Sequence, residues 1–239
     1  LLLDTIKKNC IYFLITICVL LTYTEMLSQT IMGYNGLFRI PTATVNRDGE
    51  IKFVLAHIDK RISVLENGIN SNLRTSISLN YFSFLEINLI LNKLVNSDSP
   101  EQANGDRQSS FKILLADLGF FPNVAIGAYD ALGSLEKGGV HSDFIYLTTS
   151  KIISISNNFE IEASVGYAES LYHQENTGLK GAFGGLSFRL FDNIEIFGEY
   201  DSKYYNSGAR LHLLNHLILF GGFNQMKYFS GGGGICFQL

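Results

Sequence analysis

The sequence predicts an all-β chain, an antiparallel transmembrane β-barrel of about twelve strands. Three observations lead there: recurring apolar–polar alternation, segments of about ten residues, and connections that alternate between long and short. Phe159, Ile161, Ala163, Val165 and Tyr167 are apolar, while Glu160, Glu162, Ser164 and Gly166 between them are polar or tiny. Leu85, Ile87, Leu89 and Leu91 alternate with Glu86, Asn88 and Ile90. Ile194, Ile196 and Tyr200 alternate with Glu195, Phe197, Glu199 and Asp201. A period of two makes strands with one apolar and one polar face, and no amphipathic helical period of useful length follows residue 30.

Taken in order, the chain opens on a leader. Lys7 and Lys8 precede the apolar run Ile11 to Tyr23, which gives way to TEMLSQT. A basic start, a short apolar core and small residues near Ser28 predict a secretory signal peptide over 1–28. An anchoring helix needs about 18 or more apolar residues, and this run is shorter. Cys10 and Cys18 fall inside the leader, so Cys236 alone belongs to the exported part and no internal disulfide is expected there. Residues 29–48 form a lead-in carrying the box GLFRIPTA, and 49–239 form the barrel. Its strands are predicted at 49–58, 73–83, 85–94, 110–118, 122–131, 142–152, 158–168, 180–190, 193–202, 206–214, 216–224 and 227–239. Their length suits tilted strands that cross a bilayer.

The connections follow suit. KRISVLENGINSN, VNSDSPEQANGDRQS, ALGSLEKGGVH and ESLYHQENTGL are long and polar, while SISNN and Phe191-Asp192-Asn193 are tight. Long extracellular loops and short periplasmic turns alternate in this way in outer-membrane barrels, and an even strand count puts both ends of the barrel on the periplasmic side. Composition agrees. Among 239 residues, 17% are charged, the mean hydropathy is +0.16, and only 3 Pro interrupt the strands; soluble chains carry about a quarter charged residues. Tyr81, Tyr146, Tyr167, Tyr200 and Tyr228 stand near strand ends and suit aromatic girdles. The competing class is a soluble β-sandwich, whose strands alternate as well; alternation alone does not say which face meets water. A net charge of −4 without a basic stripe argues against nucleic acid.

Gly36-Leu37-x-x-Ile40-Pro41-Thr42-Ala43, with Asp48-Gly49 after it, resembles the opening of the YjbH-like exopolysaccharide biosynthesis family. Further matching elements follow in order: Asp106 with Ser109-Ser110-Phe111, Pro122-x-Val124-Ala125-Ile126-Gly127-x-x-Asp130, Thr149-Ser150-Lys151, Gly184-Gly185-Leu186-Ser187, and Glu199-Tyr200-Asp201 with Asn206-x-Gly208. The resemblance implies an outer-membrane barrel that serves exopolysaccharide or capsule export as a structural or conduit accessory. Outer-membrane lipid, polysaccharide and export-machinery proteins would be its partners, in a Gram-negative-type cell. A narrow general diffusion channel is the alternative, and an outer-membrane lipid hydrolase a distant one.

Candidate site residues fall into two groups. In the barrel, Lys52, Glu86, Glu160, Glu162, Glu195, Glu199, Asp201, Arg210 and His212 lie on the polar phase and are expected to share the lumen. There they would form a salt-bridge network, since buried charges need partners. The box residues Gly36, Leu37, Pro41, Thr42 and Ala43 suit packing better than chemistry. A rigid segment there either plugs the barrel mouth or caps the seam where first and last strands meet, with the second preferred. Glu160 and Glu162 are paired carboxylates, yet nothing places a sugar between an acid and a base. His57, His141, His173, His212 and His216 stand in no nucleophile motif. No catalytic residue, metal or cofactor is therefore expected. Phe197 and Phe220 lie on the inner phase, for sugar stacking or for filling a narrow lumen.

Overall fold

In a computed structural model the chain closes into an antiparallel barrel. The residues described are 29–62, 70–95, 106–117, 119–131, 142–156, 158–171, 178–191, 193–213 and 216–239. The predicted signal peptide and the histidines 141 and 173 lie outside them. The strands are β1 (Glu50–Ile58), β2 (Asn72–Tyr81), β3 (Leu85–Leu94), β4 (Asp106–Ala116), β5 (Asn123–Tyr129), β6 (Phe144–Ser156), β7 (Phe159–Glu169), β8 (Gly181–Leu190), β9 (Ile194–Tyr200), β10 (Tyr205–Leu213), β11 (Leu217–Asn224) and β12 (Tyr228–Gln238). Each pairs with its neighbours in sequence, and β1 closes on β12 from Glu50 opposite Gln238 to His57 opposite Gly231. Closure leaves no unpaired strand edge, which a backbone in hydrocarbon requires.

Burial along the strands settles which face is which. On β3 the side chain of Asn88 is 0% exposed and that of its neighbour Leu89 61%. Polar residues point inward and apolar ones outward, the reverse of a soluble sandwich. Among the Asp, Glu, Lys, Arg and His of the strands described, His57, Lys93 and Arg107 are exposed, each one residue from a strand's loop end. Such placement avoids the cost of about 2–4 kcal/mol for an Arg or Lys facing lipid at mid-bilayer. Tyr81 and Tyr167 face outward as a girdle requires, but Tyr146 does not. It points into the barrel, where its ring lies 6.4 Å from that of Tyr34, because its place on β6 shares the inward phase of Phe144 and Thr148.

Twelve strands enclose more room than their side chains fill, since about eight give a filled interior and 16–18 an aqueous channel. Residues 29–43 occupy the difference. Nearly all are buried, and Ile31, Tyr34, Leu37, Phe38 and Ile40 pack with Ile90, Tyr129, Phe144, Phe183, Phe197 and Ile218 of the inner wall. The lead-in therefore does more than cap the seam. Its first part enters the lumen as a plug, and only its last residues run along the closure. There Gly49 N–H donates to the Asn80 carbonyl, Leu239 N–H to the Gly49 carbonyl, and the Gln238 amide to the Asp48 carbonyl.

Candidate functional site

The plug owes little to secondary structure of its own. It turns back once, through a single bridge between Gly36 and Pro41 and the bond from Leu37 N–H to the Ile40 carbonyl. Gly36 is needed at that turn, because a Cβ there would stand 2.1 Å from the Ile40 carbonyl oxygen. Pro41 holds the returning backbone at one angle. The remaining backbone groups lie in a space with little water, so each must find a partner in the wall.

Charged wall residues supply many of them. The Glu199 carboxylate on β9 accepts from the N–H groups of Phe38, Arg39 and Ile40, at 2.9, 2.9 and 3.3 Å. The Asn206 amide on β10 donates to the same carboxylate. Arg210, fully buried on β10, divides its guanidinium. Nη1 donates to Glu195 at 2.6 Å, and Nη2 to the carbonyls of Gln29, Gly36 and Leu37 at 2.9, 3.0 and 2.8 Å. On the opposite wall Glu86 accepts from Asn35 N–H at 2.8 Å, while Lys112 pairs with Glu86 at 2.9 Å and donates to the Asn35 carbonyl. Lys52 donates to Asn35 Oδ1 at 2.7 Å and Arg74 to the Ile31 carbonyl at 3.2 Å. Ser150 on β6 accepts from Ala43 N–H, and Thr148 donates to the Pro41 carbonyl. Arg39 of the plug in turn pairs with Asp201 at 3.3 Å.

The expected lumen group is thus inside the barrel, but it serves a second purpose. Glu86, Glu199, Asp201, Arg210 and Lys52 hold backbone or side chains of the plug. His212 lies 3.6 Å from Glu195, and Glu160 pairs with Arg189. Glu162 departs from the expectation: it makes no hydrogen bond or ion pair with any described residue, although it is 94% buried. Lys112, Arg74, Arg189 and Arg39 were not among the predicted residues. Lys112 sits two residues after Ser110 on the inward phase, a signal the sequence offered. Its partner Glu86 follows only from the β3–β4 register.

Shape matches charge. A Cβ on Gly185 would lie 2.6 Å from Leu37 of the plug, and one on Gly222 would lie 3.0 Å from the Phe38 ring. These wall glycines make room for plug side chains. Phe197 stacks on Phe38 with centroids 5.6 Å apart and lies under the Arg210 guanidinium, so it packs the plug. His57 faces outward and His216 contacts the Cys236 carbonyl.

Among the described residues, a space lies beyond each end of the plug. At the loop end a vestibule of about 250 Å³ is lined by Tyr34, Arg39, Arg61, Asp201, Lys203 and Tyr204 among others. At the turn end one of about 570 Å³ is lined by Asn46, Glu50, Asp117, Glu160, Glu162 and Arg189 among others.

The structure is similar to that of the KdgM porin (TM-score 0.48, 9% identity, 80% of this chain and 99% of that one). It is similar also to that of the NanC porin (TM-score 0.46, 10% identity, 79% and 100%). No curated protein matches the sequence. Residues 28–216, which take in the plug, the closing turn of its box and the strands β1 to β10 that hold it, match the family described as exopolysaccharide biosynthesis protein YbjH, and the chain belongs to that YjbH family.

Proposed function

We propose that this barrel serves exopolysaccharide biosynthesis at the outer membrane as a conduit or structural accessory that rests closed, and that it is not an enzyme. The observation that carries this is the occupied lumen. Residues 29–43 fill it through hydrogen bonds and side-chain packing against the wall, with no disulfide to it, and are joined to the barrel only by the run of chain into β1. A freely open diffusion pore needs a standing aqueous passage, whereas a component of polymer export benefits from staying shut until engaged. The long-loop end would face the exterior and the turn end the periplasm.

A second reading has its own support. Vestibules on both sides of the plug leave it as the barrier between two spaces, so a narrow diffusion channel that opens by plug movement fits the same geometry. The two part on one experiment. Cells lacking the protein are scored for surface polymer, and the purified barrel is scored for conductance in planar bilayers. Loss of polymer with a mostly closed wild-type barrel supports the export role. Unchanged polymer with steady conductance overturns it in favour of the channel.

A further inference from the structure

Glu162 is the anomaly of the lumen. Glu86 and Glu195 each pair with a cation, Glu199 takes backbone N–H groups, and Asp201 pairs with Arg39. Glu162 is as buried as they are, 6% exposed, yet has no hydrogen-bond or ion-pair partner among the described residues. Beside it, Arg189 is tied through Nη1 to Glu160, while its Nε has no acceptor. Register places the two close together: Glu162 stands opposite Ser187, and Arg189 opposite Glu160, on neighbouring positions of the β7–β8 pair. Both line the turn-end vestibule of about 570 Å³, within the range of about 300–1,000 Å³ usual for ligand clefts.

A buried carboxylate and a buried guanidinium N–H left without partners are costly. Side by side on a cavity they offer an acceptor next to a donor. A small anion entering there meets Glu50, Asp117, Glu160 and Glu162; a simple cation meets Arg47 and Arg189. A group that donates and accepts at adjacent atoms, while carrying no charge, satisfies both. Vicinal hydroxyls of a sugar do this. The Asn123 amide on the same lining adds a neutral donor and acceptor, and Asn46, whose amide N–H groups are taken by Asn35 and Glu50, adds a carbonyl acceptor.

We propose that the turn-end vestibule is a saccharide-binding subsite, in which Glu162 accepts from and the Nε of Arg189 donates to neighbouring hydroxyl groups. That the sugar belongs to an exported polymer rests on the function proposed above; the binding chemistry does not.

The chain has no Trp, so Asp117→Trp at the vestibule rim gives a single fluorescent reporter in the full chain in detergent. The probes are neutral malto-, cello- and galacto-oligosaccharides, oligosaccharides released from the cells' own exopolysaccharide, an oligouronide, and spermidine. Saturable quenching by a neutral oligosaccharide is expected. Glu162→Leu should weaken it roughly 10–100-fold, the worth of a hydrogen bond to a charged group, and Glu162→Gln, which keeps an acceptor, by less. Because Glu162→Leu removes an unpaired charge, its heat-modifiable gel mobility should persist, which certifies folding. No saturable response, preference for the oligouronide or spermidine, or unchanged affinity in Glu162→Leu (bridging water only) overturns the subsite. Binding that stands while deletion of the gene leaves surface polymer unchanged keeps the subsite and overturns the export role instead.

Discussion

Replacing Arg210 by Met tests what seats the plug. The guanidinium is fully buried and has two separable duties: the ion pair with Glu195 inside the wall, and three bonds from Nη2 to plug carbonyls. Breaking the pair leaves the buried Glu195 carboxylate with the His212 ring at 3.6 Å beside it in place of a guanidinium, a loss of about 3–5 kcal/mol to the barrel as a whole. The three plug contacts, at about 1 kcal/mol each, sum to about 3 kcal/mol. That second loss falls on the seated plug alone and shifts its seated-to-unseated ratio roughly 100-fold. Planar-bilayer recording should therefore show frequent openings in Arg210→Met that the wild type lacks. The double variant Arg210→Met with Glu195→Leu separates the duties. It removes the stranded carboxylate and should recover most of the thermal stability, yet it should stay leaky because the plug carbonyls have still lost the guanidinium. A single variant as closed as the wild type, or a double variant restored in both stability and closure, would refute the claim that Arg210 holds the plug.

Four further outcomes follow from the same geometry. The folded protein in detergent should migrate differently from the boiled one on a gel, and a chain that stays soluble and monomeric without detergent would contradict the membrane barrel. Thr42, 0% exposed, replaced by Cys in a Cys236→Ser background should label slowly with a membrane-impermeant thiol reagent even after the outer membrane is permeabilised; Arg210→Met should speed it. Gly185→Leu should expel Leu37 from its place, raising conductance while the barrel still shows heat-modifiable mobility. Pro41→Gly should loosen the returning limb of the plug by about 0.4–1 kcal/mol through restored chain freedom, read as a several-fold rise in that labelling rate.

Most of the barrel was legible because its signal is periodic. A strand facing lipid on one side and a polar lumen on the other must alternate, so the alternation of Phe159 to Tyr167 places a strand at 158–168, within one residue of β7 at each end. The strands with bulges, β4 near Leu114 and β6 near Ser154, are recovered as well; the predicted end of β6 falls short at 152, where the bulge breaks the phase, and the predicted start of β4 misses Asp106 because the alternation there runs into the polar loop sequence. Tyr146 was assigned to the wrong face since a Tyr suits a girdle and an aromatic cluster equally well. The plug was legible only as a puzzle. Residues 29–43 have no period, and their burial depends on wall residues more than 100 positions away, such as Glu199 beneath Phe38. Sequence spacing has no means of expressing that contact.

The same contacts explain why the elements that carry the family resemblance stand where they do. Glu199 and Asp201 of one element grip Phe38 and Arg39, Asn206 of the next holds the Glu199 carboxylate, Ser150 receives Ala43 N–H, and Gly185 leaves space for Leu37. Segments dispersed over four strands converge on one short stretch of irregular backbone. The physical reason is the accounting of backbone polar groups. A strand satisfies its N–H and carbonyl groups through its neighbours, but an irregular segment inside a barrel has no neighbour strand to use. Side chains must take that part, and those reaching far into the lumen with several donors or acceptors are Glu, Arg, Lys and Asn. The charges inside this barrel are thus in large measure the hydrogen-bond partners that the plug lacks in itself. A plug held so can leave only if something else satisfies Glu199 and Arg210 as it goes, and water entering from the two vestibules is the simplest such replacement.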